Sequence, residues 1–323
     1  MNEDKHPAGY ENCLLCPRAC GSSRVAGKRG FCKESAELRL ACAVLYRGEE
    51  PPLVGNLGSG AIFVSGCNLG CAFCQTYQAS QGEFPASVPL GRAVSRQTLA
   101  EICLALEKAG AANINFVTPS HHTPAIIAGL AAARAAGLAL PVVWNTSAYE
   151  SSGSLDLLKG HVSIFMPDLK TLDSALAAKL FRAPDYPDIA KAAILKMIAM
   201  SDGRPGNVII RHLVLPGHLE ATRNVLRWFA RYAKGRAQLS LMSQYTPVLT
   251  PGRERLSKKA PADNLDAAGH AAVLDWLAEL EIEDGFCQEL APELLWLPDF
   301  TRTNPFPSEI ARPIWHWRDD WVG

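Results

Sequence analysis

The sequence predicts an α/β fold in which six βα units close a barrel, or an incomplete one, of the TIM type, with a cysteine-rich extension ahead of it. Three observations carry that reading. Short β-branched and aromatic runs alternate with longer stretches whose apolar residues recur at helical spacing. Cap and turn residues punctuate the alternation where helices should begin and end. The chain, 323 residues and 48% hydrophobic, is long enough to bury one large core or two smaller ones.

The first strand is expected at 61–66. A helix follows on Leu99, Ile102, Cys103 and Leu106, spaced i, i+3, i+4, i+7, with Ser95 to cap it and Gly110 to end it. Ile114, Phe116 and Val117 mark a second strand, after which Thr123-Pro124 opens a helix on Ile126, Ile127 and Leu130 that stops at Gly137. Third, fourth, fifth and sixth strands are expected at 141–145, 162–166, 207–214 and 238–242. The helix after the fifth carries Val225, Phe229 and Tyr232 and ends at Gly235. A last helix, on Val273, Trp276, Leu277 and Leu280, follows a loop at 246–251. In such barrels ligands bind at the carboxyl ends of the strands.

Three regions result: a cysteine-rich start (1–55), the barrel (56–290) and a Trp/Pro-rich tail (291–323). The turn-rich stretch 48–60 links the first two, with a solvated loop the preferred reading of its Glu49 and Glu50. The tail holds Trp296, Trp315, Trp317 and Trp321. It suits closure of a barrel mouth or a partner contact, packing on the barrel's own helices being the simplest account. Cys42, Cys103 and Cys287 read as core.

Lys+Arg and Asp+Glu are both 32, so the chain has no net electrostatic footprint for nucleic acid or anionic lipid. No apolar run reaches membrane-span length, and the start lacks the apolar core of a signal peptide. The expected location is the cytoplasm, where ten cysteines are better metal ligands, catalytic groups or core residues than disulfides.

The sharpest motif is Cys67-Asn68-Leu69-Gly70-Cys71-Ala72-Phe73-Cys74, directly after the first strand. Four-iron clusters normally take four cysteines. A tight trio leaves one iron for an exogenous ligand. A zinc knuckle would want four ligands in paired C-x2-C units, and the next cysteine, Cys103, lies in a helical pattern.

This C-x3-C-x2-C spacing, with the aromatic Phe73 before the third cysteine, resembles the signature of the radical S-adenosylmethionine (radical SAM) enzymes. The resemblance implies an open (β/α)6 partial barrel. It also implies a [4Fe-4S] cluster on Cys67, Cys71 and Cys74 that chelates SAM and cleaves it reductively to a 5′-deoxyadenosyl radical. Asp168-Leu169-Lys170 after the fourth strand resembles the tripeptide of the glycyl-radical-enzyme activating enzymes, typified by pyruvate formate-lyase activating enzyme. There the aspartate lies near the SAM carboxylate, where a monovalent cation can bridge them, and the lysine lines the SAM pocket. Asn145-Thr146 resembles the polar pair on the preceding strand, with Asn145 where an aspartate is usual. Arg211-His212 leads into Pro216-Gly217 as that group's next strand does, making both candidate contacts to SAM or substrate. The Gly-Gly-Glu segment usual after the second strand is replaced by Val117-Thr118-Pro119-Ser120-His121-His122-Thr123-Pro124. Thr118 and Ser120 can accept from the SAM ammonium without bringing charge, and His121 and His122 are candidate substrate-site residues. Glu49 and Glu50 of the linking stretch are candidate contacts to SAM or substrate as well, a solvated loop being the preferred reading.

Cys13-Leu14-Leu15-Cys16-Pro17-Arg18-Ala19-Cys20 and Cys32 place four cysteines in a segment too small to fold unaided, which suggests a second metal site. Zinc and an auxiliary iron-sulfur cluster both fit the spacing. The resemblance implies a one-electron reductant such as flavodoxin or ferredoxin, and a glycine on a partner glycyl radical protein as substrate. Modification of a small molecule or another macromolecule is the alternative. A non-enzymatic iron-sulfur electron carrier is the third reading; it would bind no SAM.

Overall fold

The computed structural model describes residues 9–82, 88–201, 204–248, 258–291 and 297–322. Trp296 and residues 249–251 of the expected loop lie outside them. The strands are β1 Arg39–Tyr46, β2 Ser59–Val64, β3 Arg92–Ala93, β4 Ile114–Val117, β5 Val142–Thr146, β6 Ile164–Pro167, β7 Ile209–Leu213, β8 Gln238–Met242, β9 Gly285–Cys287, β10 Ala311–His316 and β11 Asp320–Trp321.

β2, β4, β5 and β6 pair in parallel, as do β7, β8 and β9. Two parallel bridges, Phe165 with Val208 and Asp168 with Arg211, join the two sets. The six expected strands are β2, β4, β5, β6, β7 and β8, forming the largely parallel sheet of a partial barrel. β2 runs 59–64 rather than 61–66, because Gly66 turns the chain at φ 81° immediately after it. The short β9 adds a seventh parallel strand.

The connecting helices start where the cap chemistry puts them. Ser95 Oγ accepts from Thr98 N at 3.0 Å to cap Arg96–Lys108, and Pro124 sits in the first turn of Thr123–Ala135. One face of the strands, including Ile62, Ile114, Phe116 and Trp144, packs on Leu99, Ile102, Cys103, Leu106 and Ile126. Each fully buried side chain of this size contributes about 1.5–3 kcal/mol. On the other face Val143, Met166 and Ile209 meet Leu53 of the short helix Pro51–Val54. This helix lies on the β1–β2 connection, at the end opposite the cysteine loop.

The flanks depart from expectation. The run Leu40–Leu45 is β1, antiparallel to β2 on one side and to β10 on the other. The tail therefore extends the sheet edge, with Trp315 fully buried, and Phe300 and Phe306 pack on Phe63 with ring centroids 5.3 Å away. Cys42 and Cys103 are buried, but Cys287 is exposed. It ends the edge strand β9, whose middle residue Phe286 is the one turned to the packed face. Among the described residues no helix is long and apolar enough to cross a membrane.

Candidate active site

β2 delivers the chain through Ser65 and Gly66 into the cysteine loop. A Cβ on Gly66 would lie 2.5 Å from the carbonyl oxygen of Cys32 and from Glu34 Cγ, so only glycine fits. The loop is pinned by its backbone: Ala72 N donates to Leu180 O at 2.8 Å and Gln81 Nε2 to Cys71 O at 3.0 Å. Asn68 Nδ2 donates to Tyr149 O at 2.7 Å. Phe73 anchors the loop in the core, edge-on to Phe181 at 5.8 Å and Tyr245 at 6.2 Å.

The thiols sit in a prepared setting. Leu69 N approaches Cys67 Sγ at 3.4 Å, and Cys74 Sγ lies 3.1 Å from Ser80 Oγ. Burial pushes Cys71 up to about 12 and raises Cys67 as well, the neighbouring thiols adding to it. Thiols so desolvated ionise when a metal supplies the opposing charge. Lys170 is close enough to Cys71 to favour its anion. Three soft donors in one loop, an amide directed at one sulfur and a nearby cation fit an anionic iron-sulfur cluster. Among the described residues no three His, Cys, Asp or Glu side chains are gathered to hold a single metal ion.

Beside the loop, β6 and β7 assemble a partly buried ionic group. Asp168 Oδ2 accepts from Lys170 Nζ at 2.6 Å and Oδ1 from Arg211 Nε at 2.8 Å. Arg211 also donates to Asn145 Oδ1 at 2.6 Å. Burial alone would raise the Asp168 carboxyl; the two cations outweigh it and hold it below the usual range. Burial pulls Lys170 and Arg211 down, and Asp168 more than reverses that in both. Tyr186 supports the turn, its hydroxyl accepting from Lys170 N and donating to Asp168 O.

Glu49 and Glu50 are not the solvated pair expected. Glu50 is buried, accepts from Ser240 Oγ at 3.1 Å and lies 3.9 Å from Arg211 Nε, while Glu49 is half-buried. Burial, with Glu50 beside it, raises the Glu49 carboxyl. Asn115, on β4, is buried, and its amide interacts with the Glu49 carboxyl.

The other sequence-derived residues separate from this group. His212, next to Arg211, points to the opposite face by strand alternation and spans Leu169 O (2.7 Å) and Thr222 Oγ1 (3.0 Å). Burial holds it down at about 4, hence neutral. Thr118 adopts φ 55°, unusual for a β-branched residue, and its hydroxyl faces Val64 O at 3.5 Å. Ser120 is buried and donates to Glu150 Oε1 at 2.6 Å. Glu150, which sequence reasoning missed, also accepts from Trp144 Nε1 and Thr146 Oγ1, tying β5 to the β4 loop. His121 and His122, the candidate substrate-site residues, are fully buried, and burial holds His121 at about 3. Nothing in the local sequence reveals these partners, which come from loops, strands and a helix elsewhere in the chain.

The amino-terminal segment docks on the same end of the barrel. Arg18 Nε donates to Asn68 O at 2.8 Å, NH2 to Phe181 O at 3.1 Å, and its guanidinium lies 3.8 Å over Phe31. Cys67 N donates to Cys32 O at 3.3 Å, and Ser151 Oγ to Leu15 O at 2.7 Å. Cys13, Cys16 and Cys32 are buried and Cys20 is exposed.

A parallel partial barrel carrying three loop cysteines after its first parallel strand, beside a partly buried Asp-Lys-Arg group, defines a class of metal-cluster enzymes. Residues 61–229 match the sequence model of the Radical SAM superfamily. The chain belongs to that superfamily, and its cofactors are accordingly a [4Fe-4S] cluster and SAM, with a one-electron reductant required. An uncharacterized protein of Methanocaldococcus jannaschii is 31% identical over 240 residues, covering 74% of this chain and 67% of the relative. Among solved structures, Streptococcus suis SuiB bound to precursor peptide SuiA is 15% identical with TM-score 0.49, covering 70% of this chain and 47% of that one. A domain of a pyruvate-formate lyase-activating enzyme from Bacteroides vulgatus is 13% identical with TM-score 0.42, covering 55% of this chain and 100% of that domain. The chain thus spans about half the length of SuiB.

Proposed function

We propose that this chain is an activase-type radical SAM enzyme that abstracts hydrogen from a glycine of a partner protein, with Cys67, Cys71 and Cys74 holding the cluster. The observation that carries the reading is the Asp168–Lys170 pair just after β6, held by Arg211 of β7 and within electrostatic reach of Cys71. When bound, the cluster and SAM supply one-electron cleavage of the sulfonium, leaving methionine and a 5′-deoxyadenosyl radical. The chain's own residues position and shield. Phe73 and its aromatic neighbours exclude water from one side of the loop. Lys170 offsets the negative charge of a thiolate cluster, and Asp168 keeps Lys170 charged and oriented. Arg211, fixed by Asp168 and Asn145, presents donors to a carboxylate. A protein of the flavodoxin or ferredoxin class is the electron donor.

The test mixes the reduced enzyme anaerobically with SAM and a glycyl radical protein. The reading expects 5′-deoxyadenosine together with a glycyl radical signal by electron paramagnetic resonance. SAM cleavage without any radical on the partner would count against it. A second reading, a small-molecule substrate, is favoured by the buried Glu50 and the neighbouring Glu49, carboxylates in the barrel that a protein glycine does not require.

A further inference from the structure

We propose that Cys13, Cys16, Cys20 and Cys32 hold an iron-sulfur cluster that relays electrons to the centre at Cys67, Cys71 and Cys74, entering at exposed Cys20 and leaving through Cys32. The inference rests on the reading of Cys67, Cys71 and Cys74 as cluster ligands, and extends it to the route of reduction.

Three observations carry it. The first is the approach of two of the four thiols to one point, no three being drawn together among the described residues. A Cβ built on Gly30 would lie 3.2 Å from Cys20 Sγ and 3.4 Å from Cys32 Sγ, so both thiols press on one backbone position. Ala19 (φ 40°), Gly21 (φ 62°) and Lys33 (φ 70°) are left-handed residues beside Cys20 and Cys32. Such turns expose successive amides in the concave nests that surround iron-sulfur sites.

The second is a buried charge. Arg24 is 1% exposed and stacks 4.4 Å over the Tyr10 ring. Its guanidinium donates to Ser35 O at 2.6 and 3.0 Å and to His121 O at 2.6 Å, and it lies 3.8 Å from Cys13 Sγ. Among the described residues no carboxylate forms a salt bridge with it. The groups able to oppose its charge are Cys32, Tyr10 and Cys13, and Glu34, itself paired with Arg39, feels it as well. Four thiolates on iron carry net negative charge, and Cys13 brings that charge to Arg24.

The third is contiguity. Cys67 N donates to Cys32 O, so a ligand of one site is hydrogen-bonded to a ligand of the other. Arg18, of the same segment, grips the carbonyl of Asn68 inside the cysteine loop. A structural zinc site would stabilise the segment equally well; the relay differs in using this backbone link as its path between the two sites. On the far side Cys20 reaches solvent.

The electron count closes. A reduced low-potential donor protein of the flavodoxin or ferredoxin class loses one electron. The amino-terminal site gains it and passes it on, returning to its starting state. The electron ends in breaking the C5′–sulfur bond of SAM, giving methionine and the 5′-deoxyadenosyl radical, with no proton required.

The test uses the full chain, reconstituted anaerobically with iron and sulfide in the presence of zinc. The proposal expects about eight irons per chain and no stoichiometric zinc. It also expects Cys67→Ala to keep about four irons with a reducible paramagnetic signal. In Cys20→Ala, and separately in Cys13→Ala, the ratio of flavodoxin-driven to dithionite-driven SAM cleavage should fall at least ~10-fold. One zinc with about four irons, or an unchanged ratio, overturns the proposal. If either variant fails to fold, the metal content and spectrum of the unmodified and Cys67→Ala proteins decide it. Failure of the parent reading looks different: no dithionite-driven cleavage in any form, with the amino-terminal irons still countable.

Discussion

Asp168→Asn removes one negative charge from between two partly buried cations and leaves the shape intact. In the native chain the carboxylate is bonded to Lys170 at 2.6 Å and to Arg211 at 2.8 Å, with the Asp168 side chain 15% exposed. At an effective dielectric constant of about 20, a unit-charge pair near 4 Å is worth about 4 kcal/mol, so two pairs supply about 8 kcal/mol before desolvation. Desolvation of three ions takes back several kcal/mol each, and removing one partner of a buried pair typically costs about 3–5 kcal/mol. The residual exposure favours the lower end, and Asn retains an acceptor for one of the donors. We therefore expect Asp168→Asn to lower stability by about 2–4 kcal/mol. The assay is denaturant unfolding of the metal-free chain, which keeps metal release out of the transition. Lys170→Met in the same background should recover part of the loss, because it removes one of the stranded cations. A loss below about 1 kcal/mol, or double-variant additivity within about 0.5 kcal/mol, would refute the reasoning.

The pH dependence follows from the same carboxylate. Its folded pKa is depressed, so its contribution is fully present above the unfolded value of about 3.9 and is lost as pH falls through the folded value. The stability difference between wild type and Asp168→Asn should stay flat at neutral pH and shrink below about pH 4; a difference unchanged down to pH 2 would contradict this. Gly66→Ala should abolish cluster retention, measured as iron per chain after reconstitution, because its Cβ meets Cys32 O and Glu34 Cγ at 2.5 Å and its φ is 81°. Arg24→Met should loosen the amino-terminal segment from the β4 loop by removing the bond to His121 O. Limited proteolysis should then cut within residues 9–35 faster than in wild type, and equal rates would argue against that clamp.

Local signals made the parallel strands legible. The apolar runs that became β2, β4, β5, β6, β7 and β8, and the caps at Ser95 and Pro124, are short-range features that need no partner to be recognised. Leu40–Leu45 was harder, because a continuous apolar run does not say whether it belongs to a small module or to a sheet edge. β10, its partner, lies more than 260 residues away. Glu50 looked solvated beside two prolines, yet Arg211 and Ser240 bury it from across the barrel. His121 and His122 looked like loop residues until the amino-terminal segment covered them through Arg24 and Tyr10. Cys287 looked like core because edge position is invisible in a single strand's composition. The cysteine trio stood out in the sequence by its spacing, and Asp168-Leu169-Lys170 by its resemblance to a family tripeptide. Their assembly with Arg211 and Asn145 required the sheet register.

The most direct test of the central claim is anaerobic. Reconstitute the unmodified chain and Cys67→Ala, add SAM and a strong one-electron reductant, and quantify 5′-deoxyadenosine. Product from the unmodified chain alone is the predicted result. Equal product from both would contradict the assignment of the cluster to Cys67, Cys71 and Cys74, as would none from an iron-loaded unmodified chain.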